Sequence, residues 1–125
     1  MKKYDYKYRV LADSYNCLST FQFINQDTAI SKLCILTKSG YKASIYPVIH
    51  NTNPNQADYE YRLFDIVLLD DQVGMVLCKS PDDDPEFHGF RDNVEDALAY
   101  IDNYYYEQEK KTTSAQQPVQ NLIDN

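Results

Sequence analysis

The spacing of apolar residues switches between two periods along this chain, and that switch limits the fold more than any other feature. Tyr4, Tyr6, Tyr8 and Val10 alternate with Asp5, Lys7, Arg9 and Leu11, a period of two that predicts a strand with an aromatic face. A polar turn over residues 12–16 leads to Cys17, Ser19, Phe21 and Phe23, a second alternating run expected to pair antiparallel with the first. The period then changes to that of a helix. Asp27 or Thr28 is the expected N-cap, Ile30, Leu33, Cys34 and Thr37 follow at helical spacing, and Lys38 and Gly40 supply a cationic last turn and a C′ glycine.

Alternation returns over Tyr41–Ile49, with Pro47 marking an edge strand or its end. Residues 51–58 form an Asn-rich loop suited to Asx turns. Tyr59–Leu69 reads as one long strand whose apolar end belongs in the middle of a sheet, covered on both sides. A tight turn at residues 69–72 then leads into a fifth strand, Val73–Cys78. Pro81 and Pro85 bracket an acidic loop that Phe87 and Phe90 are expected to anchor. Asp92 or Asn93 caps a last helix. Its Val94, Ala97, Leu98, Ile101 and Tyr105 form one apolar stripe, with Glu95, Asp96, Asp102 and Asn103 opposite.

The order β-β-α-β-β-β-α predicts an α+β fold, a two-layer sandwich of about five antiparallel strands and two helices. One compact domain is expected over residues 1–109, followed by a disordered polar tail over 110–125. The last five elements share the α-β-β-β-α order of double-stranded-RNA-binding domains, but the acidic second half lacks the basic surface that such binding uses.

Formal net charge is −7, and it is divided unevenly. Residues 1–50 hold seven bases and three acids, whereas residues 51–109 hold fifteen acids against Arg62, Lys79 and Arg91. Two faces of opposite sign are therefore expected, and a field concentrated on one face steers partners better than a dispersed one. No apolar run approaches the length of a membrane span, and the first residues carry no hydrophobic stretch of a secretory signal. Cys17, Cys34 and Cys78 are odd in number and widely spaced, which fits reduced thiols in a cytoplasmic protein and no CxxC site. All three sit among apolar neighbours and are expected to be buried.

The densest polar cluster is Asp70, Asp71, Asp82, Asp83, Asp84, Glu86 and His88. It lacks the alternate-position acids and central glycine of a calcium loop, so no metal or cofactor is expected. With only Gly40, Gly74 and Gly89 there is no phosphate-binding glycine loop, and no nucleophile–base spacing suggests an enzyme. Tyr104, Tyr105 and Tyr106 are consecutive on a helix, so at least one ring should reach solvent and serve as a contact.

The expected activity is therefore non-enzymatic binding, in which the acidic half docks on a protein with a basic surface. In its sharpest form the carboxylates of Asp70, Asp71, Asp82, Asp83, Asp84, Glu86, Glu95, Asp96 and Asp102, with Tyr104 and Tyr106, stand in for phosphates. They would then block a nucleic-acid-binding protein without touching nucleic acid. Small acidic chains rich in Tyr and Asn resemble phage-encoded accessory or inhibitor proteins, including anti-CRISPR and anti-restriction proteins. What that resemblance implies is a viral inhibitor of a host defence protein. The alternative is a small-ligand sensor or sequestering protein, able to dimerise, that holds nucleotide phosphates through Lys7, Arg9 or Lys42.

Overall fold

The structure is a computed structural model that describes residues 4–14, 17–79, 82 and 84–124, with side chains described up to Lys110. Its element order is β1 (Tyr8–Ser14), β2 (Cys17–Phe23), α1 (Gln26–Lys38), β3 (Lys42–Pro47), β4 (Ile49–His50), β5 (Tyr59–Tyr61), β6 (Phe64–Leu68), β7 (Val73–Leu77), β8 (Glu86–Arg91) and α2 (Val94–Asp124). The α+β class is as expected, but the strands form two antiparallel sheets of three and five, in orders β2-β1-β3 and β4-β5-β6-β7-β8. The chain passes between sheets at Val48, whose N–H donates to the Lys7 carbonyl just before β1. The expected tail, residues 110–125, lies almost wholly outside the described side chains.

β1 is the middle strand of the smaller sheet, and both of its faces are covered. Val10 and Ala12 pack with Ala29 and Leu36 of α1, whereas Arg9, on the alternate face, reaches α2. Asn25, rather than Asp27 or Thr28, caps α1, since its Oδ1 accepts the Asp27 N–H at 2.7 Å. The helix stops as expected, with Gly40 in the left-handed region at φ 93°. α2 starts at Asn93, whose Oδ1 accepts the Asp96 N–H at 2.9 Å. Its Val94, Ala97, Leu98 and Ile101 are buried against Tyr59, Tyr61, Phe64, Ile66, Val73, Met75 and Leu77 of the larger sheet.

Three strand expectations need correction. Tyr59–Leu69 is a hairpin rather than one strand, because Tyr61 pairs with Phe64 across a turn of Arg62 and Leu63. Both turn residues have positive φ, 49° and 72°. This is the pattern of a type I′ turn made without the Asn or Gly that normally announces one. Second, β6 is central as expected but covered on one face only: Val67, Leu68 and Leu69 are exposed. Third, Phe87 and Phe90 belong to a strand and do not reach the core. They sit on the open face over Gly74, their ring centroids 5.0 Å apart, where any side chain on residue 74 would meet them.

Candidate partner-binding surface

Strand register decides which acids come together. Leu68 pairs with Val73 and Val73 pairs with Arg91, so the Asp70–Asp71 turn lies beside the end of β8. From there the chain runs through Asp92 into the first turn of α2, which carries Glu95 and Asp96. Asp58 joins the same end, because its Oδ2 accepts the Leu68 N–H at 2.7 Å. Three separate segments thus place Asp58, Asp70, Asp71, Asp92, Glu95 and Asp96 around one end of the larger sheet, all but half-buried Asp58 exposed. The nearest base, Arg91, lays its guanidinium 4.5 Å from the Tyr100 ring centroid.

The other loop is elsewhere. Asp82, Asp84 and Glu86 follow β7 at the opposite end, where the Cys78 N–H donates to the Leu63 carbonyl at 2.9 Å. β7 spans five residues, which separates the two acidic groups by roughly 17 Å at 3.4 Å per residue. The acids expected to act together therefore form two groups. Asp83 lies outside the described residues.

Asp102 leaves the expected surface set altogether. It is 1 % exposed, and its carboxylate is saturated by donors. Arg9 Nε donates to Oδ2 at 3.0 Å, while Tyr61 Oη and Arg62 Nη1 donate to Oδ1 at 2.6 and 3.3 Å. Burial is the largest influence on Arg9 and would lower its pKa, but the Asp102 carboxylate together with Tyr4 and Tyr61 outweighs it and holds the guanidinium above its ordinary value. Tyr61 is pushed well above the ordinary tyrosine range, first by burial and then by the Asp102 charge. Its hydroxyl is a fixed donor, not a proton shuttle.

This buried pair anchors a longer polar line. Arg9 Nη1 also donates to Gln22 Oε1 at 2.9 Å, Tyr4 Oη donates to the same oxygen, and Gln22 Nε2 donates to Glu95 Oε1 at 3.1 Å. On the other side Arg62 Nη2 donates to Tyr46 Oη at 3.1 Å. The Arg62 guanidinium lies 3.8 and 4.3 Å from the Tyr46 and Tyr105 ring centroids. Tyr105 Oη donates to the Arg62 carbonyl, clamping the left-handed turn that carries it. Glu95 is thus a surface acid tied to the interior.

The tyrosine triplet is similarly absorbed, and none of its rings is fully exposed. Tyr104 packs against Phe64 and His88, and Tyr106 Oη donates to Asp13 Oδ1 at 3.2 Å. Arg9 is neutralised by Asp102, Lys42 pairs with Glu109, and exposed Lys7 stands apart on the segment before β1. The three bases expected to hold a phosphate therefore form no common cradle. Cys17 and Cys34 are exposed, not buried: Cys17 opens the edge strand β2, and Cys34 lies off the inward stripe of α1 that Ala29 and Leu36 set. Cys78 is half-buried, and burial followed by the Asp65 charge pushes its thiol up. His88, which the sequence grouped with the acids, turns inward with Nδ1 2.7 Å from Tyr100 Oη. Its buried Nε2 lies 3.3 Å from Glu86 Oε1 without hydrogen-bond alignment.

Among the described residues no three His, Cys, Asp or Glu side chains converge as a metal-holding group, and no helix is long and apolar enough to cross a membrane. Compared with protein-family models, with curated proteins and with solved structures, the chain gives no match.

Proposed function

We propose that this protein is a non-catalytic binding protein whose acidic end docks on a basic surface of another protein. The observation that carries this reading is the gathering of Asp58, Asp70, Asp71, Asp92, Glu95 and Asp96 from three chain segments at one end of the larger sheet. Acids gathered at one end sum to a negative potential that attracts a cationic partner at long range. In the narrower form of the proposal the partner binds nucleic acid and the carboxylates stand in for phosphates, as an inhibitor of phage origin would arrange them.

The test is a pull-down from the native host with mass spectrometry, run with the wild type, with D70N/D71N/D96N and with D82N/D84N. Loss of the partner with the first variant and retention with the second supports docking through this end, and the reverse pattern moves the contact to the β7–β8 loop. Equal recovery by all three overturns the reading. Competition by duplex DNA, together with affinity that falls as salt rises, tests phosphate mimicry; salt-insensitive binding would remove it.

A further inference from the structure

The strand β8, Glu86-Phe87-His88-Gly89-Phe90-Arg91, is the last in its sheet, so one side of its backbone has no neighbouring strand among the described residues. Such an edge is a template for another strand. Most edges are blunted by charge or proline along their length, yet β8 shows solvent two phenylalanines, Phe87 and Phe90, 57 % and 45 % exposed. Paired aromatics at this exposure on a sheet rim mark a contact surface rather than scattered surface residues.

Read backwards, the strand complements itself. Laid antiparallel on its own copy, it puts Glu86 opposite Arg91 and Phe87 opposite Phe90. An ordinary strand could not use that register, because residues three apart point to opposite faces. Here a bulge intervenes: Met75 pairs with Gly89 but Val76 pairs with Phe87, leaving His88 as the extra residue. The bulge resets the alternation, so Phe87 and Phe90 share the open face, opposite Val76 and Gly74, while Glu86 and Arg91 share the α2 side, opposite Leu77 and Val73. Both matched pairs then lie on like faces of a combined sheet.

We infer that β8 is a self-association edge, taking as its partner β8 of a second copy of this chain related by a twofold axis. Two Glu86–Arg91 pairs would flank a four-ring phenylalanine cluster, which satisfies the requirement of an isologous interface that each contact occur twice. The inference stands apart from the acidic end and does not depend on it.

Sedimentation equilibrium of the full chain over a wide concentration range tests the proposal, with circular dichroism confirming that each variant is folded. A monomer–dimer equilibrium is expected. E86R or R91E alone weakens it by about tenfold, since two opposed pairs become like-charged at once. The double swap E86R/R91E restores it, and F87K/F90K abolishes it. A wild type that stays monomeric to several hundred micromolar overturns the inference. So does a dimer that is indifferent to the single swaps or is not rescued by the double swap.

Discussion

The two halves of this molecule are built on different terms. The half formed by β1–β3 and α1 has four buried residues in its apolar cluster, Val10, Ala12, Ala29 and Leu36. The half formed by β4–β8 and α2 has eleven, and Tyr4 and Val48 join the same cluster from outside those elements. α1 leaves Ile30 and Ile35 exposed, whereas α2 buries a full stripe. The thin half coincides closely with the basic part of the sequence and the thick half with the acidic part. A sheet with so small a core gains little from its own helix, so its stability depends on the face it turns toward α2. At that face the fully buried ion pair is Arg9–Asp102, 3.0 Å long and 2 % and 1 % exposed.

The sharpest way to break the comparison is Asp102→Ala. It strands Arg9 without a buried counter-charge and removes acceptors from Tyr61 and Arg62, which is expected to cost about 3–5 kcal/mol in urea unfolding. Hydrogen exchange should show the β1 amides losing more protection than those of β7. Replacing both members with apolar residues, R9M/D102L, should recover most of the loss, because no uncompensated charge remains. A change under about 1 kcal/mol for D102A would mean that apolar contacts alone join the halves.

Core truncation compares the halves directly. Leu98→Ala, at a site with no exposure, is expected to lose about 3–5 kcal/mol, and Leu36→Ala, 7 % exposed beneath α1, about 2–3 kcal/mol. Equal losses would show that the smaller cluster is packed as tightly as the larger.

Alkali probes the junction from another side. Tyr4, Tyr59, Tyr61 and Tyr105 are all shifted upward, in each case first by burial. A group whose folded pKa exceeds its unfolded value contributes fully below the unfolded value, about 10 for tyrosine, and loses that contribution as pH rises beyond it. Tyrosinate absorbance and loss of circular dichroism should therefore rise together above pH about 10. Tyr61→Phe should move that transition to higher pH, while ionisation of these four phenols in a folded protein would contradict the arrangement.

The smallest effect concerns the turn that carries Arg62. Leu63 has φ 72° and is 61 % exposed. Leu63→Gly therefore removes left-handed strain while giving up little burial, and a gain of up to about 1 kcal/mol is expected in thermal or urea unfolding. A loss instead would mean that the Leu63 side chain packs more than its exposure suggests.

Much of this is legible in the sequence. Both helix starts and the end of α1 lie within two or three residues of their expected punctuation, because capping is local: Asn93 and Gly40 act on their own backbone. The Val94–Ala97–Leu98–Ile101 stripe was readable for the same reason. The misreadings share one cause, a signal carried by partners distant in sequence. The Arg62–Leu63 turn lacks turn residues because its left-handed backbone is held by Tyr105, Tyr46 and Asp102, about 40 positions or more away in two cases and 16 in the third. Phe87 and Phe90 looked like anchors because the bulge that turns both outward arises from register with β7. Asp102 looked like a surface acid because it stands among polar neighbours, and nothing in that stretch announces Arg9 ninety-three residues earlier.

By itself the sequence determined the α+β class, the helix starts and the end of α1, the apolar stripe of α2 and the division of charge, since these follow from periodicity, capping and composition. Tertiary structure alone decided that the strands form two sheets, that the acids divide between two ends of one of them, and that one carboxylate of that acidic part is buried. Those outcomes depend on strand register and on charge pairing across long loops, where the free energy belongs to contacts and not to any segment of chain.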